Sequence, residues 1–111
     1  MIYILKFEKK LGNPSNPRAQ AQYYVGYCDD DRLQERLAEH RRGTGAAITR
    51  ACVERGIGFS VALTLPGGTD VEAYLKYKYK NTRLLVERYE RNARKLERWL
   101  SQVVAKGAYL Q

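Results

Sequence analysis

Ile2-Tyr3-Ile4 and Tyr24-Val25-Gly26 are two tyrosine-bearing stretches, each within a run of β-branched and aromatic residues. This composition is typical of β-strands, so residues 2–7 and 23–28 are predicted to form two of them. The stretch between the runs, Gly12-Asn13-Pro14-Ser15-Asn16-Pro17, cannot continue either strand. The sequence therefore predicts a β-hairpin with a long loop that projects outward.

A helix is predicted directly after the second strand, in the run Asp31-Arg32-Leu33-Gln34-Glu35-Arg36-Leu37-Ala38-Glu39-His40. Asp31 is a residue type that accepts hydrogen bonds from the first turn of a helix, and Gln34 follows at the capping-box spacing. Gly43 is suited to the position after the last helical turn. We therefore expect Asp31 to cap this helix and Gly43 to end it.

Two polar side chains lie beside the apolar face of this predicted helix. Leu33 and Leu37 are one turn apart and define the buried face. Arg36 and His40 are also one turn apart, so they lie on one side of that face and near its border. We expect both to reach a groove.

The rest of the chain predicts alternating elements and a long final helix. A second helix is expected over residues 46–55 and a third strand over 59–65, followed by a turn. Thr69 or Asp70 can cap a helix that carries Glu72 in its first turn. Residues 82–106 have heptad-like apolar spacing, which predicts a long C-terminal helix.

The length of 111 residues and the 44% hydrophobic content fit a single soluble domain spanning residues 1–111. No apolar run approaches the roughly 18 residues that a membrane span needs, and residues 1–10 do not resemble a signal peptide. We therefore expect a cytoplasmic protein without a membrane partner. Cys28 and Cys52 belong to no metal-ligand spacing, so buried thiols are expected.

The chain is strongly basic, with 20 lysines and arginines against 12 acidic residues and a net charge of +8. Such a charge favours polyanionic partners. Several classes of protein share it, and it indicates a partner only together with a site.

The predicted elements bring together residue types that phosphodiester hydrolysis requires. A phenol, Tyr3 or Tyr24, can position or activate water if nearby positive charge lowers its pKa. Arg36 matches the geometry of a phosphate, and His40 can donate to phosphate or move a proton. Glu72 offers the hard oxygen that Mg²⁺ prefers.

This order of residues resembles the GIY-YIG nuclease family over about residues 1–85. By motif position, Tyr3 and Tyr24 resemble the two tyrosines of that family, Arg36 its helical arginine and His40 the residue one turn later. Glu72 resembles the metal-binding glutamate, because Glu72-Ala73-Tyr74-Leu75-Lys76 is similar to the family pattern Glu-x-x-(Ile/Leu)-Lys.

The resemblance implies a small, stand-alone, single-domain member of α+β class, with a three-stranded antiparallel sheet flanked by helices. It also implies an endonuclease that uses Mg²⁺ or Mn²⁺ to cut DNA, with double-stranded DNA the expected form. The products would carry 5′-phosphate and 3′-hydroxyl ends. By this resemblance Tyr3, Tyr24, Arg36, His40 and Glu72 are catalytic, and Glu72 holds the metal.

The sequence leaves open which residues contact DNA, whether the chain is catalytic and what the C-terminal helix packs against. Arg36, Lys76, Lys78 and Lys80 are candidates for phosphate contacts with DNA. A non-catalytic nucleic-acid binding module on the same fold is an alternative to the nuclease, because Met1 stands where the family motif has its first glycine. The C-terminal helix can pack on its own core or form a homodimer.

Overall fold

The computed structural model describes residues 1–12 and 20–78, together with 86–87, 91, 94–95, 98 and 101–102. Side chains are described for these residues except 76–78. The elements over the described part of the chain are β1 (Ile2–Gly12), β2 (Gln20–Tyr27), α1 (Leu33–Arg41), α2 (Ala47–Glu54), β3 (Phe59–Leu65) and α3 (Thr69–Lys78).

The three strands form one antiparallel sheet in the order β2-β1-β3. The predicted α+β class and three-stranded antiparallel sheet are confirmed. β1 is central and extends to Gly12, five residues beyond the predicted end at residue 7. The predicted hairpin pairing of β1 with β2 is also present, whereas residues 13–19 of its connection lie outside the described residues.

The central strand is buried on both faces of the sheet. Ile2, Tyr3, Ile4 and Leu5 are each 0% exposed, although successive side chains point to opposite sides. Helices therefore cover both faces. On one face Ile2 and Ile4 pack in a cluster that includes residues of α3, and on the other Tyr3 and Leu5 pack in a cluster that includes residues of α1 and α2.

An irregularity in β3 allows this edge strand to contribute to both layers. Leu63 pairs with Ile4 whereas Val61 pairs with Leu5, so the register shifts at Ala62. Strict alternation would direct Val61 and Leu63 to the same face. Because of the shift, Val61 packs with the cluster below α1 and α2, and Leu63 packs with the cluster below α3.

The start of α1 differs from the prediction, whereas its end agrees. The helix begins at Leu33 with Arg32 at the N-cap position, and no side chain caps it. The Arg32 backbone N–H donates to the Asp29 carbonyl over 3.0 Å, which closes a turn before the helix. Asp31 lies within that turn and is exposed, so the predicted capping box with Gln34 is wrong. Gly43 follows the helix with φ of +80°, as expected for its terminus.

The C-terminal segment can be described only at isolated positions. Residues 86–87, 91, 94–95, 98 and 101–102 are helical, while the rest of the predicted 82–106 helix lies outside the described residues. Among the described residues, no helical stretch combines the length and apolar character that crossing a bilayer requires. Cys28 and Cys52 are buried free thiols, as predicted, and burial raises the pKa of both.

Candidate active site

The hydroxyl of Tyr3 is the point at which two side chains of α1 meet the central strand. It lies 2.6 Å from His40 Nε2, and Arg36 Nε donates to it over 3.3 Å. Arg36 and His40 both reach the same atom because they are one helical turn apart on the side of α1 that faces β1. The structure therefore confirms that these two residues share one side of α1, and it adds Tyr3 as their common partner.

The hydrogen bonds of Thr49 in α2 favour the His40 tautomer that carries its proton on Nδ1. The Thr49 hydroxyl donates to the Ala46 carbonyl over 3.1 Å, and its oxygen lies 2.7 Å from His40 Nδ1. Since the hydroxyl proton is used, the Thr49 oxygen accepts from Nδ1–H. In neutral His40, Nε2 is then unprotonated and accepts the hydroxyl proton of Tyr3. Arg36 therefore donates to Tyr3, Tyr3 donates to His40, and His40 donates to Thr49.

Burial keeps the Tyr3–His40 pair neutral. Both side chains are 0% exposed. Loss of solvent raises the pKa of Tyr3 to about 12, although the hydrogen bond from Arg36 opposes the increase. Loss of solvent, followed by the nearby positive charge of Arg36, lowers the pKa of His40 to about 4. At neutral pH the pair is therefore a phenol bonded to an uncharged imidazole.

The guanidinium of Arg36 is fixed by three partners while part of it faces solvent. Besides Tyr3, it donates to Glu39 Oε2 over 2.7 Å and to the Gly45 carbonyl over 3.0 Å. The Arg36 side chain is 29% exposed. It lines an open groove of about 230 Å³, together with Tyr27, Cys28, Asp29, Arg32 and Glu39. An anion in this groove would meet a positioned guanidinium.

Two glycines leave room for the rings of Tyr3 and His40. Gly26 is paired with Tyr3 across the sheet, and a Cβ at Gly26 would overlap the phenol of Tyr3. A Cβ at Gly45 would overlap the imidazole of His40. Neither glycine has a positive φ. The lack of a side chain is therefore required for close packing and not for backbone conformation.

Tyr24 lies on the same face of the sheet as Tyr3 and is partly exposed. Its ring centroid is 6.3 Å from that of Tyr3 and 5.3 Å from that of His40, the latter in an edge-to-face arrangement. The two motif tyrosines are therefore brought together as expected. Only Tyr24 of the two has solvent access in this arrangement.

Glu72 lies on the other side of the sheet from this network. As predicted, it lies in the first turn of α3; it is partly buried, and α3 packs against the face formed by Ile2 and Ile4. The sheet therefore separates the layer that carries Glu72 from the layer that carries Arg36 and His40. Over the described residues, no group of three or more His, Cys, Asp or Glu side chains could hold a metal ion.

The lysine candidates can be located only in part. Lys76 and Lys78 are within α3, but their side chains lie outside the described residues, as does the whole of Lys80.

The sequence did not identify Thr49 or Gly45, which hold the network in place, whereas it did offer Glu39 as an ion-pair partner of Arg36. Thr49 and Gly45 belong to α2 and to the segment before it, and their importance arises from the packing of α2 beside α1. Glu39 does have a local signal, because it is three residues after Arg36 on the same helix. Gly26 also has one, as a glycine inside a predicted strand that indicates a close approach.

Comparisons of this chain with protein-family models, with curated proteins and with solved structures give no match. The case for a function therefore depends on the geometry of the chain itself.

Proposed function

We propose that this chain is a metal-dependent DNA endonuclease of the GIY-YIG type. It would hydrolyse phosphodiester bonds and leave 5′-phosphate and 3′-hydroxyl ends. The observation that carries the proposal is the convergence of Arg36 and His40 on the Tyr3 hydroxyl, with Arg36 also lining an open groove. The three-stranded sheet between helical layers is the architecture that the resemblance implies.

Each residue of the network has a distinct part in this proposal. Arg36 binds the scissile phosphate, because its guanidinium is fixed and accessible. Tyr24 positions the attacking water, because it is the motif tyrosine with solvent access. Tyr3 and His40 are buried; Tyr3 accepts a hydrogen bond from Arg36 and so orients it, and His40 holds the Tyr3 hydroxyl. His40 also offers a proton acceptor next to Tyr3.

By the resemblance, Glu72 is the residue that would hold Mg²⁺ or Mn²⁺, although α3 packs on the face of the sheet opposite to Arg36. Its carboxylate has the donor chemistry that Mg²⁺ prefers, and one carboxylate can suffice when water and substrate oxygens complete the coordination shell. A bound divalent cation supplies charge neutralisation at the phosphoryl and leaving oxygens. Phosphate contacts would come from Arg36 and the lysines of α3, Lys76 and Lys78, with Lys80 beyond them.

A plasmid-nicking assay with Mg²⁺, with Mn²⁺ and with chelator tests the proposal. Arg36→Ala and Glu72→Ala are expected to abolish metal-dependent nicking while circular dichroism shows a folded protein. The matched controls are Arg32→Ala, at the N-cap position four residues before Arg36, and Asp70→Ala, in the same first turn of α3 as Glu72. Nicking at the parent rate by both Arg36→Ala and Glu72→Ala would disprove the assignment.

The chemistry of the products can be read from the same plasmid. DNA ligase reseals a nick only if it has a 5′-phosphate and a 3′-hydroxyl. Resealing without prior end treatment is expected. Nicks that need phosphatase or kinase treatment before resealing would contradict the proposed direction of cleavage.

A non-catalytic binding module is the second candidate, and one observation favours it. Tyr3 and His40 have no exposed surface, so neither can touch a substrate in this arrangement. A binder needs no such access. In the same assay, retention of plasmid by the parent protein without nicking in either metal would support the binder and exclude the nuclease.

A further inference from the structure

A group of arginines lies beside the candidate site, on the outer side of α1 and α2. Four exposed arginines form what we call the arginine surface: Arg41, Arg42, Arg50 and Arg55. Glu54 is the one acidic residue between positions 41 and 56 of the sequence. Glu8 also lines a groove with Arg41, so four arginines share this surface with two carboxylates, those of Glu8 and Glu54.

The fold brings the arginines of the two helices together. The side chain of Arg50 passes close to Gly43, since a Cβ built on that glycine would lie 3.7 Å from Arg50 Cγ. Arg41 lines a groove with Val53, which is one turn after Arg50 on the exposed face of α2. The end of α1 and the outer face of α2 therefore form one continuous surface.

Most of these guanidinium groups are available to an outside partner. Within the described residues, no ion pair joins Arg41, Arg42 or Arg55 to an acidic side chain. Arg50 is paired with Glu54 over 3.2 Å, but both side chains are largely exposed, at 69% and 62%. Exposed pairs of this kind contribute little free energy and exchange partners readily.

The arginine surface is connected to the proposed active site by a short segment. Arg36 donates to the carbonyl of Gly45, which lies between the end of α1 and the start of α2. A polyanion long enough to contact both Arg36 and the arginine surface would pass this segment. A duplex has this form, because its phosphates repeat along a rigid path.

Composition favours nucleic acid over an anionic membrane as the occupant. Proteins that bind in the plane of a membrane combine basic residues with large apolar side chains that insert into the lipid. Val53, 41% exposed, is the one exposed large apolar side chain in the described part of the chain. Arginine is also well suited to phosphate through its planar fork of donors.

We propose that the arginine surface binds the phosphate backbone of a DNA duplex next to the cleavage site. This inference rests on the proposed function for the identity of the polyanion. It extends the contact area beyond Arg36 within the layer of α1 and α2, which lies across the sheet from the lysines of α3. The contacts are to phosphate, so they contribute affinity and position without reading sequence.

The test measures binding of the full chain to a duplex of about 20 base pairs in chelator, where a metal-dependent enzyme cannot cut. The triple variant Arg41→Gln, Arg42→Gln, Arg50→Gln is compared with Arg94→Gln, Lys95→Gln, Arg98→Gln. The control removes the same number of charges from exposed positions of the C-terminal segment. Because both variants lose three positive charges, a difference in their DNA affinity shows that the location of the charges matters and not only the net charge.

The salt dependence of Kd gives the sharpest readout. Each lost phosphate contact reduces the magnitude of the slope of log K against log salt by about 0.9. The triple variant of the arginine surface should therefore have a slope that is smaller in magnitude by about 2 or more. Its Kd at fixed salt should rise at least tenfold, and the control should change little. Equal losses in both triple variants would overturn the proposal, because net charge alone would then explain binding.

A membrane alternative is tested with the same proteins. Vesicles of phosphatidylserine and phosphatidylcholine are offered in a sedimentation assay. Weaker vesicle binding by the surface variant with unchanged duplex binding would also overturn the proposal. The binding measurement needs no metal and no cleavage, so it remains valid if the nicking assay shows no activity. The nuclease proposal and the arginine-surface proposal can therefore be refuted independently.

Discussion

The Tyr3 hydroxyl and His40 Nε2 lie 2.6 Å apart in a place that solvent does not reach. Two polar groups in such a place are costly unless both are hydrogen-bonded. Here each has a further partner, Arg36 for Tyr3 and Thr49 for His40. Among the described residues, no buried side-chain nitrogen or oxygen lacks a hydrogen bond. The network is therefore complete without solvent, and it specifies one arrangement of α1 and α2 over β1.

The first prediction concerns the tautomer of His40, the single histidine of the chain. Its ring nitrogens should show a protonated Nδ1 and an unprotonated Nε2 in a nitrogen-edited NMR spectrum, because Thr49 accepts from Nδ1–H. Thr49→Val removes that acceptor and should destabilise the fold by about 1–3 kcal/mol. Thr49→Ser keeps the hydroxyl and should keep the tautomer. A protonated Nε2 in the parent protein would refute the network.

The second prediction concerns the pH dependence of stability. The pKa of His40 falls from 6.5 to about 4 in the folded protein. Between these values the unfolded chain binds one more proton than the native chain, so the free energy of unfolding decreases as the pH falls. Stability from this source is present above pH 6.5 and is lost on the way down to pH 4. The difference corresponds to about 3 kcal/mol at most.

Urea unfolding from about pH 4.5 to 7.5 measures this effect, with His40→Gln as the reference protein. The variant lacks the titrating imidazole but keeps the carboxylates that also titrate at the acidic end. Its stability should change less over this range than that of the parent. Parallel pH profiles for the two proteins would show that His40 does not have a lowered pKa.

The third prediction concerns the two glycines that face aromatic rings. Gly26→Ala and Gly45→Ala place a methyl group against Tyr3 and His40 and should each destabilise the fold by about 1–3 kcal/mol. Gly68→Ala is the matched control, since a Cβ added there would have nothing within 4 Å and the φ of Gly68 is not positive. Thermal or urea unfolding would measure all three. An effect of Gly68→Ala equal to the others would contradict a steric origin.

Local sequence patterns predicted much of the fold. Alternating apolar residues with flanking glycines predict β3 at Phe59–Leu65, which the structure reproduces. Helical periodicity places Arg36 and His40 on the same side of α1, and the structure agrees. The Asp31 cap is wrong, because a turn from Asp29 to Arg32 uses the residues ahead of the helix. Propensity at a helix end does not reveal such a competing turn.

Packing between elements that are distant in sequence was not predictable in the same way. Periodicity places His40 at the border of the buried face, but the side chains of Tyr24 and Phe59 and the segment at Gly45 enclose it completely. The shift at Ala62, which sends Val61 and Leu63 to opposite layers, likewise has no local signal. These features depend on tertiary contacts, which a single sequence does not display.

The last prediction separates the geometry of Arg36 from its charge. Arg32, at the N-cap position of α1, and Arg36, four residues later, line the same groove and pair with Glu35 and Glu39 respectively. Only Arg36 also donates to Tyr3 and to the Gly45 carbonyl. A lysine keeps the positive charge but cannot reproduce this planar set of donors.

Arg36→Lys should therefore lower the free energy of unfolding by about 1–2 kcal/mol, because the Tyr3 hydroxyl and the Gly45 carbonyl lose a donor. Its nicking rate should fall by about 100-fold or more, since the cation is no longer held at the groove. Arg32→Lys should change stability by less than about 0.5 kcal/mol and should nick DNA at nearly the parent rate. Small and equal effects of the two substitutions on both measurements would show that the groove requires only positive charge, and the role assigned to Arg36 would then be wrong.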